Sequence, residues 1–323
     1  MTFPTTPSSR CGWRSRRMSS GLYGSEQLSE LVRGESVLDG AFECLRRIWS
    51  RPDALDGQTL TDSEYRTRLL EHHLAAQEPK LYDELNASMG DHPITRLDSG
   101  CGVIMDALSL REGFQLLSDL PDEHGWDVTL EWSGVERLPS ETTFICREWF
   151  DAHSPSAVNR DDYRFVGDLD VPQLPASDPA FVWTRHPDRR LEESFKGNYS
   201  SEAMTDIYSD TKGLLEEIVA ESVHDEFLVT SDHGYVNVQD TNPYVLSDSN
   251  EDALSSKFSG RHREVADDYA LDQLHDAGVI ERAGGHYVVK GHYHPTKPGA
   301  TKHIRHGGLS LPECMTPVLR ITT

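Results

Sequence analysis

Acidic and imidazole side chains follow two short apolar runs, in positions suited to binding a metal ion. Asp106 ends the run Val103-Ile104-Met105, and Asp232-His233-Gly234 comes soon after the run Phe227-Leu228-Val229. A short apolar run bounded by polar residues is typical of a buried strand. Because ligands of α/β sheets bind at the carboxyl ends of strands, we expect the two groups to meet at one edge. Carboxylate oxygen and imidazole nitrogen are donors that suit zinc, manganese or a similar divalent ion.

A further imidazole precedes two glycines near the end of the sequence. His306 lies in the run Arg305-His306-Gly307-Gly308, which predicts a tight turn. A purely structural role is the alternative for each of these residues. Asp106 could cap the helix that follows it, and His306 could simply belong to its turn.

The elements around these residues repeat the order strand, helix. The run at 103–105 leads into a helical pattern from Leu110 to Leu120. Further strands are predicted at 128–132, 181–183, 227–229 and 316–321, with helices through Ile145 and Trp149 and over 204–219. This order predicts an α/β sandwich built on a mostly parallel central sheet.

Two other regions precede this pattern. Residues 1–24 are expected to be a disordered tail, or sequence upstream of a true start at Met18. Residues 25–98 predict a helical cap, with helices over 26–49 and 62–89 and a break at Pro79.

Within the remaining part, 99–323, residues of about 255–295 predict an insertion. It would contain a helix from Glu264 to Ala277 and a hairpin turning at Gly284-Gly285. Helix followed by hairpin also occurs in winged-helix DNA-binding domains. However, residues 263–290 hold more acidic than basic side chains, which disfavours a nucleic-acid-binding surface.

The chain as a whole is strongly acidic. Its 323 residues include 54 Asp and Glu against 31 Lys and Arg, giving a net charge of -23, and only seven of the basic residues are Lys. Such a surface repels phosphate backbones and anionic lipids, so a phosphate-bearing substrate would need a local positive charge such as bound metal. Abundant acid with scarce Lys also suggests a halophilic protein, adapted to concentrated salt.

Cysteine usage and hydropathy bear on the compartment. The five cysteines are scattered and form no C-x-x-C pair, so neither a disulfide framework nor a thiolate zinc site is expected. No stretch approaches the ~18 apolar residues of a membrane span, and the first 24 residues lack the apolar core of a secretory signal. The expected compartment is the cytoplasm.

The runs TSDHGYV at 230–236 and RHGGLSLPE at 305–313 together resemble the PglZ-domain branch of the alkaline phosphatase superfamily. The resemblance covers about residues 100 to 323 and leaves the helical N-terminus uncovered. It implies an alkaline phosphatase-like three-layer sandwich with one or two divalent ions, zinc or manganese. The positions that match the family's metal ligands are Asp106, Asp232, His233 and His306.

The same resemblance implies a hydroxyl nucleophile at the turn after the second strand. The matching run is Leu138-Pro139-Ser140-Glu141-Thr142-Thr143-Phe144, which gives that role to Thr142, with Thr143 left open. A helix N-terminus supplies N–H groups and a positive dipole end that help to bind phosphate. A plain N-cap threonine is the alternative. Arg147 and Arg305 are candidate clamps for a phosphoryl oxygen, or ordinary surface arginines.

The sequence departs from the family pattern at the other metal site. The family usually has an Asp with a His four residues later, whereas Glu192 stands four residues after Asp188 here. Asp188 is the candidate ligand, with Glu192 or His186 as substitutes. The histidines at 292, 294 and 303 could also donate an imidazole, or could be exposed loop residues. If none of these binds, one metal ion or poor catalysis is expected.

The resemblance implies metal-dependent hydrolysis of a phosphate ester through a covalent phosphothreonine. It also implies a role in phage defence, with protein partners in a defence complex. The alternative is a catalytically weak or inactive PglZ-like scaffold or regulatory protein. Neither membrane association nor direct binding of nucleic acid is expected. The sequence leaves the natural substrate open, including the choice between monoester and diester.

Overall fold

The computed structural model describes residues 36–78, 80–194, 200–238, 244–296 and 303–323. Three helices come first: α1 (Val37–Trp49), α2 (Gly57–Gln77) and α3 (Leu81–Ala87). The predicted tail at 1–24 and the break at Pro79 lie outside the described residues. The helices on either side of position 79 end at Gln77 and begin at Leu81.

The other elements, in chain order, are β1 (Cys101–Met105), α4 (Leu110–His124), β2 (Asp127–Gly134), α5 (Thr142–Phe150), β3 (Tyr163–Val166), β4 (Ala180–Thr184), α6 (Asp188–Ser194), α7 (Ser201–Glu221), β5 (Glu226–Thr230), β6 (Val236–Asn237), α8 (Asp248–Lys257), β7 (His262–Glu264), α9 (Tyr269–Asp276), β8 (Ile280–Ala283), β9 (His286–Val289), β10 (Ile304–Arg305), α10 (Leu311–Cys314) and β11 (Met315–Thr322).

The central sheet has six strands in the order β2-β11-β5-β1-β4-β3. The neighbours from β5 to β3 pair in parallel, and only β11 runs antiparallel to its neighbours β2 and β5. The predicted α/β class with a mostly parallel sheet is confirmed. Strand β3 was missed, because Tyr163–Val166 is short and carries the exposed Arg164 at its centre.

Helices cover both faces of this sheet. On one face of β1, Cys101, Val103 and Met105 pack into a cluster that contains residues of α4 and α7. On the other face, Ile104 packs with Cys146 of α5. Since successive strand residues point to opposite sides, the molecule has three layers, as predicted. Burial on both faces explains the uninterrupted apolar run of β1.

The N-terminal helices share a core with the sheet layer rather than packing only on one another. Leu38 and Leu85 belong to the same apolar cluster as Phe114 of α4. A buried ion pair adds to this contact, because Arg111 Nε and Nη2 lie 2.8 Å and 3.1 Å from the two carboxylate oxygens of Glu64 in α2. Removing one partner of such a pair would leave a buried charge, which is strongly destabilising.

Helices α8 and α9 and the three-stranded sheet β7-β9-β8 form a compact insertion with its own apolar cluster. The hairpin predicted at Gly284-Gly285 is confirmed, and both glycines have positive φ. The predicted start of the following helix at Glu264 is wrong. Glu264 ends strand β7, and α9 begins at Tyr269, where the Asp268 side chain caps it by accepting from the Ala270 N–H at 2.9 Å.

Glu71 of α2 is a fully buried carboxyl group at the junction with the C-terminal part of the chain. Its Oε1 accepts hydrogen bonds from the Tyr82 hydroxyl at 3.2 Å and the Leu311 N–H at 3.1 Å. Its Oε2 lies 3.2 Å from His292 Nε2, so His292 is buried here and is not the exposed loop residue of the alternative above. Burial raises the pKa of Glu71 to about 7 and lowers the pKa of His292 to about 3. Both groups are therefore neutral between about pH 3 and pH 7.

This pair makes stability depend on pH. Because the pKa of Glu71 is higher in the folded state, its contribution to stability is complete at acid pH and is lost as pH rises through about 7. We expect Glu71→Gln, which resembles the protonated carboxyl, to raise the free energy of unfolding by about 3 kcal/mol at pH 8 and by less than about 1 kcal/mol at pH 5. Urea unfolding at the two pH values measures both effects, and equal effects would contradict the assignment.

Candidate functional site

Three neighbouring strands of the sheet deliver polar side chains to one edge. Asp106 follows β1, Asp232 and His233 follow β5, and Asp188 follows β4 at the first position of α6. Donor atoms of Asp106, Asp232 and His233 all lie within 4.8 Å of one another. His233 Nε2 is 3.7 Å from Asp106 Oδ1 and 3.6 Å from Asp232 Oδ2. Two carboxylates and one imidazole at these separations fit one divalent ion.

The two carboxylate oxygens of Asp232 have different surroundings. Oδ1 accepts from the N–H groups of His233 at 3.0 Å and Ala107 at 3.3 Å. Oδ2 is buried and has no hydrogen-bond partner among the described residues. A buried carboxylate oxygen without a partner is costly unless a cation binds it. The fold thus orients Asp232 through Oδ1 and leaves Oδ2 facing His233 Nε2.

The imidazole of His233 is oriented in the way that metal-binding histidines usually are. Its Nδ1 lies 3.0 Å from the Gly234 carbonyl, so Nδ1 carries the proton and Nε2 turns its lone pair toward the carboxylates. Burial alone would lower the pKa of His233, but the carboxylates of Asp232 and Asp188 raise it above its ordinary value. The negative charge of these neighbouring carboxylates favours binding of a cation.

The carboxyl group of Asp106 shows the same excess of negative charge. Burial raises its pKa well above the ordinary value, and the carboxylates of Asp232 and Asp188 raise it further. Like charges held this close at a buried edge are destabilising on their own. Together with the unpartnered Oδ2 of Asp232, they form a donor set that fits a divalent metal ion.

Thr142 is the first residue of α5 and places its hydroxyl inside this group. Its Oγ1 lies 3.1 Å from Asp106 Oδ1 and 3.2 Å from His233 Nε2. The preceding turn is fixed by Ser140, whose hydroxyl donates to the Gly308 carbonyl at 2.9 Å. Thr143, the other candidate, is exposed. The structure thus brings Thr142 to two of the four residues matched to metal ligands, Asp106 and His233.

His306 and Asp188 form a second pair of donors beside the first group. The ring of His306 stacks on that of His233 with centroids 4.4 Å apart, and its Nε2 lies 4.0 Å from Asp188 Oδ1. His306 Nδ1 is buried with no hydrogen-bond partner among the described residues. Burial raises the pKa of Asp188, while burial and the neighbouring His233 lower that of His306. Glu192 of α6 lines a cleft together with Asp188 and His306.

Two candidates from the sequence do not join the cluster. Arg147 is exposed and follows Thr142 by five residues, which places it about 140° around helix α5 from Thr142. A side chain in that direction does not suit the predicted role of Arg147 as a clamp for a phosphoryl oxygen. His186 is buried, and the charges that act on it are those of Asp210 in α7 and of Arg190 and Arg189 in α6, none of which belongs to the cluster. Arg305 lines the cleft and is better placed than Arg147.

Sequence reasoning missed Glu141, the residue directly before Thr142. A cleft of about 240 Å³ opens beside the donor groups, and Glu141 lines it together with Asp188 and His306. Its Oε1 lies 3.1 Å from His262 Nδ1 in the insertion. Burial would raise the pKa of Glu141, but His262 and His306 hold it below its ordinary value. The only signal in the sequence was its position before the candidate nucleophile.

Gly234 follows His233 at a point where no side chain fits. A Cβ atom there would overlap the Pro312 carbonyl oxygen, and the Gly234 N–H donates to the Glu313 carbonyl at 2.9 Å. We expect Gly234→Ala to lower the free energy of unfolding by about 1–3 kcal/mol, because the two chain segments must move apart. Gly213 on α7 is exposed with open space around its Cβ position, so Gly213→Ala should be neutral or stabilising by about 0.5–1 kcal/mol. Denaturant unfolding measures both, and equal effects would contradict this packing.

Comparison with known proteins gives only distant structural similarity. No protein-family model and no curated protein sequence matches the chain. Phosphonoacetate hydrolase from Sinorhizobium meliloti 1021, in complex with phosphonoformate, is 10% identical with a TM-score of 0.42, covering 69% of this chain and 90% of that one. Murine ectonucleotide pyrophosphatase/phosphodiesterase 5 is 12% identical with a TM-score of 0.35, covering 69% and 88%. At these values the function has to be argued from the residues of this chain.

One further structural finding concerns membranes. Across the described ranges, each helix is either too short or too polar to cross a lipid bilayer.

Proposed function

We propose that this chain is a metal-dependent hydrolase of phosphate esters that acts through Thr142. The observation that carries the proposal is the position of Thr142 Oγ1, 3.1 Å from Asp106 Oδ1 and 3.2 Å from His233 Nε2. Phosphoryl transfer to a hydroxyl is favoured by a helix N-terminus, whose N–H groups can bind phosphate, and by cations that favour the ionised hydroxyl. Thr142 stands at the first position of α5, beside a donor set that fits a divalent ion.

Each residue has a definite task in this proposal. Asp106, Asp232 and His233 would hold one divalent ion, and Asp188 with His306 a second. When bound, the ions supply positive charge at the phosphoryl oxygens and at the Thr142 hydroxyl. The Thr142 hydroxyl would lose its proton to solvent as Oγ1 attacks phosphorus, and the bond to the ester oxygen would break, releasing the alcohol. Water would then hydrolyse the covalent intermediate, which releases phosphate from a monoester, or a monoester from a diester, and restores the Thr142 hydroxyl. Asp106 Oδ1 orients the hydroxyl by accepting its hydrogen bond.

The donor set also bears on the identity of the metal. Mixed carboxylate and imidazole ligands suit zinc, and manganese is the alternative, because it prefers oxygen ligands. Bound metal would also overcome the repulsion between phosphate and the acidic surface of the chain. The acidity itself fits an enzyme that works in concentrated salt.

Hydrolysis of chromogenic phosphate esters tests the proposal. Wild type, Thr142→Ala and Asp232→Asn would be assayed in high salt with added zinc or manganese, using a monoester and a diester. We expect metal-dependent turnover in the wild type alone. Turnover that persists in both variants would overturn the proposed site.

We further propose that the chain belongs to the PglZ branch and acts in phage defence with protein partners in the cytoplasm. Support comes from the runs at 230–236 and 305–313, which resemble that family. Plaque counts on cells that express wild type or Thr142→Ala would test the role. Fewer plaques with the wild type alone are expected, and equal counts would contradict it.

A scaffold or regulatory protein of the same branch is the second candidate. The observation that favours it is Glu192, which stands four residues after Asp188 where the family usually has a histidine. Such a protein would bind metal without turning over esters. Stoichiometric metal binding by the wild type, with no hydrolysis of either ester, would support this candidate over the enzyme.

A further inference from the structure

Three consecutive residues at the start of β7, Gly260, Arg261 and His262, connect the insertion to the rim of the cleft. Gly260 lines the cleft itself. Arg261 is 1% exposed, and its Nε and Nη2 lie 2.7 Å and 2.8 Å from the two carboxylate oxygens of Glu313. Glu313 Oε1 also accepts from the Gly308 N–H at 2.9 Å. One buried ion pair thus holds the insertion against the turn that carries His306.

His262 follows this anchor and faces Glu141. His262 Nδ1 lies 3.1 Å from Glu141 Oε1, and the Phe144 ring meets the His262 ring edge to face with centroids 5.8 Å apart. The pair packs directly on Gly307, where a Cβ atom would lie 2.7 Å from Glu141 Oε1 and 3.0 Å from His262 Nδ1. The Glu141 carboxylate is therefore held between the insertion and the His306 turn.

Glu141 differs from the three aspartates of the site because it is not one of the proposed metal ligands. Asp106, Asp188 and Asp232 would be neutralised by the ions that they hold. Glu141 is paired with an insertion histidine instead, and it lines the cleft one residue before the nucleophile. A hydrogen bond from an uncharged imidazole does not cancel the charge of a carboxylate. A negative charge therefore remains at Glu141 beside the place where the phosphoryl group binds, in addition to that of Glu192, which also lines the cleft.

We propose that Glu141, held by His262 of the insertion, makes the cleft select singly charged phosphodiesters over doubly charged phosphomonoesters. This inference rests on the proposed function. At pH 8 a monoester carries two negative charges, because its second pKa is about 6. A diester carries one. Repulsion of one additional charge by a nearby carboxylate in a partly hydrated cleft corresponds to about a tenfold effect on kcat/KM.

The first test compares two esters with the same leaving group. Values of kcat/KM for p-nitrophenyl phosphate and bis-p-nitrophenyl phosphate would be measured at pH 8 for wild type and Glu141→Gln. We expect the diester-to-monoester ratio to fall about tenfold in the variant, through a gain for the monoester. As a control, Glu264→Gln removes an exposed carboxylate of the insertion and should leave the ratio unchanged. An unchanged ratio in Glu141→Gln would overturn the inference.

The role of His262 as a positioning residue has its own test. His262→Ala frees the Glu141 side chain and should lower the same ratio toward that of Glu141→Gln. His262→Asn offers an N–H near the position of Nδ1 and should restore the ratio. A ratio that stays at the wild-type value in His262→Ala, or that His262→Asn does not restore, would contradict positioning by His262.

A binding measurement separates this inference from the proposed function. Calorimetric titration of inorganic phosphate into manganese-loaded Thr142→Ala protein at pH 8 requires no turnover. Introducing Glu141→Gln into the Thr142→Ala protein should tighten phosphate binding about tenfold. If the wild type hydrolyses neither ester but this tightening occurs, the proposed function fails and charge selection stands. If both esters are hydrolysed and phosphate binding does not change, the inference alone fails.

Discussion

Replacing Thr142 by alanine is expected to lower kcat/KM for a phosphate ester on the order of a thousandfold or more. The change removes the hydroxyl that lies 3.1 Å from Asp106 Oδ1 and 3.2 Å from His233 Nε2. Metal binding should survive, since the carboxylates and imidazoles are untouched. Steady-state kinetics and metal titration on the same preparation measure the two properties separately.

Two matched variants sharpen this prediction. Thr142→Ser keeps a hydroxyl at the start of α5 and should keep part of the activity. Thr143→Ala alters the neighbouring threonine, which is exposed, and should change kcat/KM little. A large loss of kcat/KM in Thr143→Ala, together with an active Thr142→Ala, would show that Thr143 is the nucleophile.

Asp232→Asn is expected to abolish metal binding at the first group without disrupting the fold. The asparagine can keep the acceptor that receives the His233 and Ala107 N–H groups, while the unpartnered Oδ2 becomes an amide nitrogen. An amide nitrogen cannot bind a metal ion as a carboxylate oxygen does. Without metal, the variant should be more stable than the wild type, because Asp232 contributes to the raised pKa of the buried Asp106.

Thermal and urea unfolding with and without metal would measure both effects. At a metal concentration one hundred times Kd, the wild type should gain about 2.7 kcal/mol and Asp232→Asn should gain nothing from that site. Asp225→Asn removes an exposed aspartate just before β5 and should respond to metal like the wild type. An equal gain in wild type and Asp232→Asn would exclude Asp232 as a ligand.

The central sheet and the edge that carries the site could be predicted from local patterns. The runs at β1 and β5 are apolar because both strands are buried, and polar residues begin where the strands end. Asp106, Asp232 and His233 therefore stood out in the sequence. Strand direction has no comparable local signal, so the antiparallel course of β11 between β2 and β5 could not be predicted.

The contacts made by the insertion could not be predicted for a related reason. His262 and Glu141 are far apart in the sequence, and contacts between distant segments, such as the ion pair of Arg261 with Glu313, bring them together. The helix start also shifted, because Glu264 pairs with His286 in a strand instead of continuing the helical pattern. Both the contact between His262 and Glu141 and the start of α9 depend on pairing between distant segments. Local sequence patterns carry no information about such pairing.

The most direct test is to trap the covalent intermediate that the proposed mechanism requires. Metal-loaded wild type would be mixed with a chromogenic phosphate ester, quenched in acid during turnover, digested and analysed by mass spectrometry. We expect one phosphoryl group on Thr142 from a monoester, or one p-nitrophenylphosphoryl group from bis-p-nitrophenyl phosphate, and neither in Asp232→Asn treated in the same way. Turnover with the adduct on another residue, or with no modified peptide at any quench time, would contradict a mechanism through Thr142.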